Sequence, residues 1–295
     1  MALASPMKTN QDRFLLSIAR IEKFSPAPLI LARAMKLLRD PSSDVASIAE
    51  LVGSDPSLAA DVIRCANSAY FSGTEPIQTI GEAVQKIGFR ETINLLNLAV
   101  ARLATSRDLA SYGISADDYW SECLFNGLFV RNLANANGRV DPDEAYTVGL
   151  LRFIGRLAIN DYLQNQSASS PGPGDEPIAD WEMRNVGFVQ SRAGALLLAN
   201  WQFSTEMVQA ISGQDDPTAL SGRKWLAEAL HFTSLLLPQG LGMPIADGLE
   251  KAVPPVPTEN EFMRRSGLTP AAVENLLANT CTDFERARQS VGGPN

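Results

Sequence analysis

The side chains of this chain that could bind a metal ion or attack a substrate are few and scattered. Its single histidine, His231, lies between Leu230 and Phe232, with no second histidine or cysteine nearby. We expect it to be a packed or surface histidine. The three cysteines are far apart and form no CxxC pair. Neither Ser191 nor Ser204 has the Gly-x-Ser-x-Gly context of a nucleophile, so we predict no nucleophilic catalysis.

One stretch, residues 149–159, is central to the organisation of the chain. It follows Asp141-Pro142, an N-cap residue and a first-turn proline that together open a helix. Gly155 in the interior of a helix costs about 1 kcal/mol relative to alanine. We therefore predict that another segment packs closely against Gly155. Apolar residues recur at helical spacing through this region: Val148, Leu151, Ile154, Ala158 and Tyr162.

The sequence Leu-Leu-Arg-Phe-Ile-Gly-Arg-Leu at residues 150–157 resembles the Leu-Leu-His-Asp-Ile-Gly-Lys/Arg-Leu signature of the HD superfamily of metal-dependent phosphohydrolases. The resemblance implies that the metal-binding His-Asp pair of that family falls on Arg152 and Phe153. Arginine cannot be deprotonated to become a ligand, and phenylalanine has no donor atom. The residues that frame the signature are therefore present, but its metal-binding pair is replaced.

The same resemblance implies that the other ligand positions are also replaced. A first family histidine, in a Phe/Tyr-Trp-x-His context, falls on Glu122; a later one falls on Gln190, and a His-His pair falls on Gln214 and Asp215. Hydrolysis in this superfamily needs a metal to hold phosphate and activate water. We therefore predict no catalytic residue, no metal and no cofactor. The vestigial pocket comprises Glu122, Arg152, Phe153, Gln190, Gln214 and Asp215.

Our first interpretation of this pocket is a structural plug. Arg152 would face a partly buried space, where an unpaired guanidinium is costly. We predict that Glu122 or Asp215 pairs with it, while Phe153 fills the space that the metal occupies in the HD family.

Two other interpretations remain open. In one, Arg152, with Arg156 or Arg192, receives an anionic ligand such as a nucleotide phosphate, which makes the protein a sensor. In the other, a residual phosphohydrolase uses only the carboxylates Glu122 and Asp215.

A second resemblance covers residues 14–217, in order and at matching spacing, and is to HDOD domains. It implies an all-helical fold similar to that of HD hydrolases, lacking the full metal site, of a kind generally found in bacterial signalling proteins. Asp55, Pro56, Asn67 and Ser68 belong to its motifs, as caps and turns or as a family interaction surface. The motifs are Phe24-Ser25-Pro26-Ala27-Pro28, Leu37-Leu38-Arg39-Asp40-Pro41, Ile48-Ala49-Glu50-Leu51-Val52, Ser54-Asp55-Pro56-Ser57-Leu58-Ala59, Cys65-Ala66-Asn67-Ser68-Ala69-Tyr70, and Thr79-Ile80 through Ala83-Val84 with Ile87-Gly88.

Helical periodicity and capping signals extend over most of the chain, and no alternating strand pattern appears. Asp44, Asp55 and a Thr79–Glu82 capping box begin three of the helices. The C-terminal helix either docks on the core or serves a partner. We predict helices near 12–24, 29–39, 44–53, 55–66, 79–88, 90–104, 117–137, 141–162, 186–200, 204–212 and 220–237 and from residue 269 onward, with a flexible loop at 164–180 and an extended connection at 238–257.

Composition limits the classes of partner. The net charge of -8 disfavours binding to a nucleic-acid backbone. No apolar run approaches twenty residues, so we expect no membrane span. Residues 1–12 are too polar for a signal peptide, and the odd number of cysteines suits reduced thiols, so we predict a cytoplasmic protein.

These observations predict an all-α protein in which an N-terminal helical bundle packs on a degenerate HD-like helical domain, with a C-terminal helical extension. We place a tail at residues 1–13, the bundle at 14–108, the HD-like domain at 109–240, and a linker with the C-terminal helix at 241–295. The predicted role is non-catalytic regulation in bacterial signalling through a protein partner. The identity of that partner and the oligomeric state remain open.

Overall fold

The computed structural model describes residues 9–21, 44–67, 76–88, 92, 108–138, 140–166, 172–201, 203–222, 224–237 and 255–291. Within these ranges the secondary structure is helical, and the only extended pairing is one isolated antiparallel bridge between Leu109 and Ile114. The predicted all-α class is confirmed. The predicted helix 29–39, nearly all of the helix at 90–104 and most of the connection at 238–257 lie outside the described residues.

The described helices are numbered in chain order. Two helical segments are left without a number: residues 80–88 and the 3-10 turn Pro217–Ala219. The numbered helices are α1 (Asn10–Ile18), α2 (Val45–Gly53), α3 (Pro56–Ala66), α4 (Ala116–Asn137), α5 (Pro142–Leu151), α6 (Ile154–Gln164), α7 (Ile178–Val186), α8 (Gln190–Asn200), α9 (Thr205–Ser212), α10 (Trp225–Leu236), α11 (Glu261–Ser266) and α12 (Pro270–Val291).

Three predicted helix starts, marked by Asp44, Asp55 and the Thr79–Glu82 box, are confirmed. Asp44 and Asp55 each accept a hydrogen bond from the backbone N–H three residues further on, at 2.8 and 2.9 Å. The hydroxyl of Thr79 accepts from the N–H of Glu82 at 3.1 Å, and the Glu82 carboxylate accepts from the N–H of Thr79 at 3.4 Å. These bonds satisfy N–H groups that have no partner within their own helix.

Helices α2 and α3 form a first group, which is joined to a second group, α4 to α10, at the C-terminal end of α2. The indole N–H of Trp120, in α4, donates to the carbonyl of Ser54 at 2.7 Å. The hydroxyl of Tyr146, in α5, donates to the carbonyl of Gly53. The last carbonyls of a helix lack intrahelical partners, so these two bonds satisfy the end of α2 while they join the two groups.

Helices α4 and α5 form the centre of the second group and approach each other at two glycines. A Cβ on Gly149 would lie 2.7 Å from the carbonyl oxygen of Asn126. A Cβ on Gly127 would lie 3.1 Å from the Tyr146 ring. Only glycine allows the two backbones to come this close. The close helix contact predicted at Gly127 is confirmed.

The helix that we predicted to run without interruption from Asp141 through Tyr162 is in fact two helices. Helix α5 ends at Leu151, Arg152 and Phe153 form a turn, and α6 begins at Ile154. The N–H of Arg152 bonds to the carbonyl three residues earlier at 3.4 Å, and that of Arg156 does so at 2.9 Å. Such tighter turns replace the regular helical bonds at this point.

Three other predicted helices have different boundaries. Helix α1 covers Asn10–Ile18 instead of 12–24, because Thr9 and Asp12 form a capping box and a turn follows Ile18. The helix predicted at 186–200 begins at Gln190 instead. Helix α7, which Gly187 ends at a φ of 78°, was not predicted, and it begins inside the loop predicted at 164–180. The helix predicted from residue 220 begins at Trp225, after Gly222 at a φ of 84°. Helix α11 was not predicted; its N-cap is Asn260.

The two ends of the described chain pack on the second group of helices. The ring of Phe14, in α1, lies 5.2 Å from the ring of Tyr162 in α6. The ring of Phe284, in α12, lies 5.9 Å from that of Phe125 in α4, and both are buried. Of our two interpretations of the C-terminal helix, docking on the core is the one the structure bears out. The division of the chain into domains near residue 108 stays a prediction.

The contact at Gly155 gives a test of this packing. A Cβ there would collide with the carbonyl oxygen of Gln190 and lie 2.6 Å from the amide nitrogen of Gly194, so α6 and α8 would have to separate. We expect Gly155→Ala to lower the free energy of unfolding by about 2 to 3 kcal/mol, measured by urea denaturation.

Gly81→Ala is the matched control, because a Cβ at this helical glycine meets nothing within 4 Å. It should be neutral or stabilising by up to about 1 kcal/mol. Equal effects of the two substitutions would show that the contact at Gly155 does not hold α6 against α8.

Candidate functional site

Arg152 is the centre of the site, and its side chain is 1% exposed. It lies in the turn between α5 and α6, from which its guanidinium reaches three neutral acceptors. Nε donates to Oε1 of Gln214 at 3.2 Å, Nη1 donates to Oδ1 of Asn126 at 2.7 Å, and Nη2 donates to the hydroxyl of Ser234 at 2.6 Å. The prediction that Glu122 or Asp215 pairs with Arg152 is therefore wrong.

The Glu122 carboxylate instead binds the second arginine of the stretch, Arg156. Nη1 of Arg156 donates to Oε2 of Glu122 at 2.8 Å, and both side chains are buried. An ion pair of this kind is strongly destabilising to break, because the remaining charge has no solvent to compensate it. Arg156 of α6 and Glu122 of α4 therefore fix those two helices against each other.

Phe153 lies between these two arginines in sequence and contacts both in space. The Arg152 guanidinium carbon is 4.6 Å from the centre of the Phe153 ring, and that of Arg156 is 4.0 Å away. An aromatic ring attracts cations to its face, and this attraction strengthens where water is excluded. Phe153 is itself 1% exposed. We call Arg152, Phe153 and Arg156 the arginine cluster.

The two guanidinium groups have different electrostatic environments. Burial lowers the pKa of Arg152 to about 10, despite the nearby Glu122 and Asp215 carboxylates. Burial also opposes the charge of Arg156, but the nearby acidic groups, with Glu122 the strongest and Tyr112 and Glu182 next, together outweigh it and raise the pKa of Arg156. Both groups are therefore cationic at neutral pH.

Gln214 and Asp215, next to each other in the chain, have different roles. The Gln214 amide is buried and, besides accepting from Arg152, donates to the carbonyl of Arg152 at 3.1 Å. Asp215 is exposed and accepts from the hydroxyl of Ser191. His231 places Nδ1 3.0 Å from the carbonyl of Gln214, in agreement with our expectation of a packed histidine.

A second buried carboxyl group, Glu182 of α7, was missed from sequence. It is 1% exposed and accepts from the hydroxyl of Tyr112 at 2.9 Å and from the N–H of Gln190 at 2.6 Å. Burial raises the pKa of Glu182 to about 7, although these hydrogen bonds and Arg156 act in the opposite direction. Its position beside Trp181 in an amphipathic helix gave no signal that it faces inward.

The residues of the pocket do not fit the metal ion that the HD resemblance implies. No group of three histidine, cysteine, aspartate or glutamate side chains suited to a metal exists in the described ranges. The positions of the family's His-Asp pair are taken by a guanidinium, which is permanently cationic, and by a hydrocarbon ring. We therefore derive no step that involves a metal.

The motif residues Asp55, Pro56 and Asn67 have structural roles. All three are buried. Asp55 caps α3 with Pro56 at its first turn, and the Asn67 amide accepts from the N–H of Ile77 at 2.7 Å. These side chains therefore do not form an exposed interaction surface. Ser68 lies outside the described residues.

Two cavities, of about 580 and 290 Å³, are lined by described residues and lie apart from the arginine cluster. Lys224, Glu228 and Arg265 contribute to both, and Glu228 pairs with Arg265 at 2.8 Å. Neither cavity is lined by Arg152, Phe153 or Arg156.

Replacing Arg152 by methionine tests whether its hydrogen bonds hold the site together. The change removes the donor from the buried acceptors of Asn126 and Gln214 and from the half-buried hydroxyl of Ser234. We expect Arg152→Met to lower the free energy of unfolding by about 3 kcal/mol. Arg192→Met, at an exposed position of α8, should change it by no more than about 0.5 kcal/mol. An Arg152→Met protein as stable as the Arg192→Met control would refute the structural role.

The raised pKa of Glu182 predicts a dependence of stability on pH. Burial raises its pKa to about 7 in the folded protein, from an ordinary value of 4.5. Between these values the folded state holds the proton more tightly, so the stabilisation is complete below about pH 4.5 and is lost as the pH rises through 7.

Glu182→Gln should remove this loss. Between pH 5 and pH 8 the variant should gain up to about 3 kcal/mol in free energy of unfolding relative to the wild type. Urea denaturation at several pH values measures it, and Glu206→Gln, at an exposed position, is the control. Parallel pH profiles of wild type and Glu182→Gln would show that Glu182 does not titrate in this range.

None of the helices in the described ranges is long and apolar enough to cross a membrane. An uncharacterized protein from Treponema pallidum (strain Nichols) is 26% identical to this chain over 239 residues, which are 78% of this chain and 45% of that protein. The chain thus spans a little under half the length of this relative.

Two solved structures are similar in fold. One is the MmoQ response regulator from Methylococcus capsulatus str. Bath, with a TM-score of 0.68, 20% identity and coverage of 87% of this chain and 98% of that chain. The other is a virulence factor from Campylobacter jejuni subsp. jejuni, with a TM-score of 0.69, 20% identity and coverage of 94% and 98%. The model of the HDOD domain family matches residues 25–217, well over half of the chain. The chain therefore belongs to the HDOD domain family.

Proposed function

We propose that this protein is a non-catalytic regulatory module of bacterial signal transduction, which acts by binding another protein. The observation that carries the proposal is the burial of Arg152 among three neutral hydrogen-bond acceptors, at the position where the HD resemblance implies a metal-binding histidine. Neither of the two cavities described above is lined by Arg152, and each nitrogen of its guanidinium is already bonded within the protein.

The charges of the site support this proposal. Two guanidinium groups, of Arg152 and Arg156, lie within 5 Å of the same ring centre. Like charges at such separations repel strongly in a buried environment. A divalent cation added among them would raise that repulsion, and within the described part of the chain Glu122 is the carboxylate in direct contact that offsets it.

The family relationship supports the signalling role. HDOD domains resemble HD hydrolases in fold but typically occur as regulatory parts of bacterial signalling proteins. A response regulator, MmoQ, has a similar fold. Fold similarity alone does not assign function, so the proposal depends on the family and on the filled site together.

A sensor that binds a small anion in the same place would need Arg152 to be free. Its three donor nitrogens are already bound to Gln214, Asn126 and Ser234. An anion would have to break these bonds and open the cluster. The described contacts therefore favour the plug over the sensor.

The proposal predicts that the purified protein neither carries a metal nor hydrolyses phosphate esters. Elemental analysis should find less than about 0.1 equivalent of any divalent metal. Thermal denaturation should not shift when Mn²⁺, Mg²⁺ or nucleotides are added. For comparison, a ligand present at one hundred times its Kd would raise the free energy of unfolding by about 2.7 kcal/mol. Hydrolysis of phosphomonoesters and cyclic dinucleotides should stay at the background rate.

Arg192→Met and Arg152→Met serve as the matched pair for any shift that does occur. A nucleotide shift lost in Arg152→Met but kept in Arg192→Met would replace the plug with a sensor. Stoichiometric metal with metal-dependent phosphate release would replace it with a phosphohydrolase. The regulatory role requires a further result. A partner protein recovered from the source cells must bind the pure, folded protein with a measurable Kd.

A further inference from the structure

Two buried polar atoms next to the arginine cluster lack a hydrogen-bond partner among the described residues. They are Nε of Arg156, a donor, and Oε1 of Gln190, an acceptor. Their residues are 2% and 8% exposed. Buried polar groups in folded proteins almost always have a partner, which is either another protein group or an ordered water. A buried polar atom left without a partner is energetically costly.

The backbone contacts place these two residues side by side. Gly155, which precedes Arg156, is so close to Gln190 that a Cβ on it would collide with the Gln190 carbonyl oxygen. The N–H of Gln190 donates to Glu182, and the charge of Arg156 acts on the same carboxyl group. The unpaired donor of α6 and the unpaired acceptor of α8 therefore belong to one polar cluster.

The charges around this cluster define the chemistry of its occupant. A metal cation would meet the guanidinium groups of Arg152 and Arg156, both of which are cationic at neutral pH. An anion would meet the carboxyl groups of Glu122 and Glu182, both buried. A neutral molecule avoids both repulsions. It must accept one hydrogen bond and donate another, and it must be small, because the surrounding helices are in close contact.

We propose that one buried water molecule bridges α6 and α8, accepting from Nε of Arg156 and donating to Oε1 of Gln190. Buried waters typically make about three hydrogen bonds to groups that would otherwise be unsatisfied. This water is part of the fold: it completes the hydrogen bonding of the arginine pair at the point where Gly155 brings the two helices together. The inference does not depend on the regulatory role proposed above.

A crystal structure at a resolution that shows ordered solvent tests the proposal directly. The crystals should be grown without sulfate or phosphate and soaked in MnCl₂. We expect one spherical density peak about 2.7 to 3.2 Å from both atoms, with no anomalous signal. An anomalous peak, a tetrahedral density, an empty gap or a direct protein bond to either atom would overturn the proposal.

Solution NMR gives a second, independent measurement. A long-lived internal water should produce a nuclear Overhauser effect between water and the Nε–H of Arg156. This signal should disappear in Gln190→Met, which removes the acceptor, and persist in Gln209→Met, at an exposed position of α9. Its persistence in Gln190→Met would contradict the proposed bridge. If Gln190→Met fails to fold, the wild-type crystal structure still decides the question.

Discussion

The burial of two arginine side chains at the α5–α6 turn is the constraint on which the rest of this structure depends. A guanidinium group carries five N–H donors and a permanent charge, and inside a protein it must find its acceptors there. Arg152 finds them on Asn126, Gln214 and Ser234, which belong to α4, to the segment after α9 and to α10. Three separate parts of the fold must therefore meet at one side chain.

The break between α5 and α6 allows one aromatic ring to serve both arginines. In an unbroken helix, residues four apart share a face, whereas adjacent residues point in different directions. Phe153 would then be a neighbour of Arg156, three residues on, but would point about 100° away from the adjacent Arg152. The tight turn at Arg152 and Phe153 changes this direction, so that both guanidinium groups lie over the Phe153 ring. The contact of Gly155 with α8 then sets how α6 continues after the turn.

Much of the helical fold could be predicted from sequence, because its signals are local. Asp44, Asp55 and the Thr79–Glu82 box each satisfy N–H groups within four residues. The break after Leu151 could not be predicted in this way. Apolar spacing continues through it, and the cause lies in the distant acceptors of Arg152.

The groups that surround Arg152 could likewise be predicted only in part from sequence. The sequence predicted a buried Arg152, because the replaced signature places it in a pocket. It did not predict which group Arg152 binds, since we looked for an opposite charge and the structure uses neutral amides and a hydroxyl. Ser234 lies outside the family match at 25–217, and no spacing rule connects it to Arg152. Glu182 was missed because no helix was predicted at residues 181–185, and because a glutamate is almost never fully buried unless it is paired.

The arginines also account for how the helices around the replaced HD signature are held together. The HD resemblance implies that a cation stands among ligand positions on α4, on the α5–α6 turn, on α8 and in the segment after α9, and helices built around a positive charge lose a shared partner when it is removed. Arg152 and Arg156 supply positive charge from the chain itself, and Glu122 supplies the opposite charge to Arg156. A guanidinium cannot exchange its ligands or lower the pKa of a bound water, as a metal ion does. In the non-catalytic role proposed above, the two arginines keep the contribution that a metal would make to holding the helices together, without its chemistry, and we expect the surface of this protein, and not its centre, to carry the function.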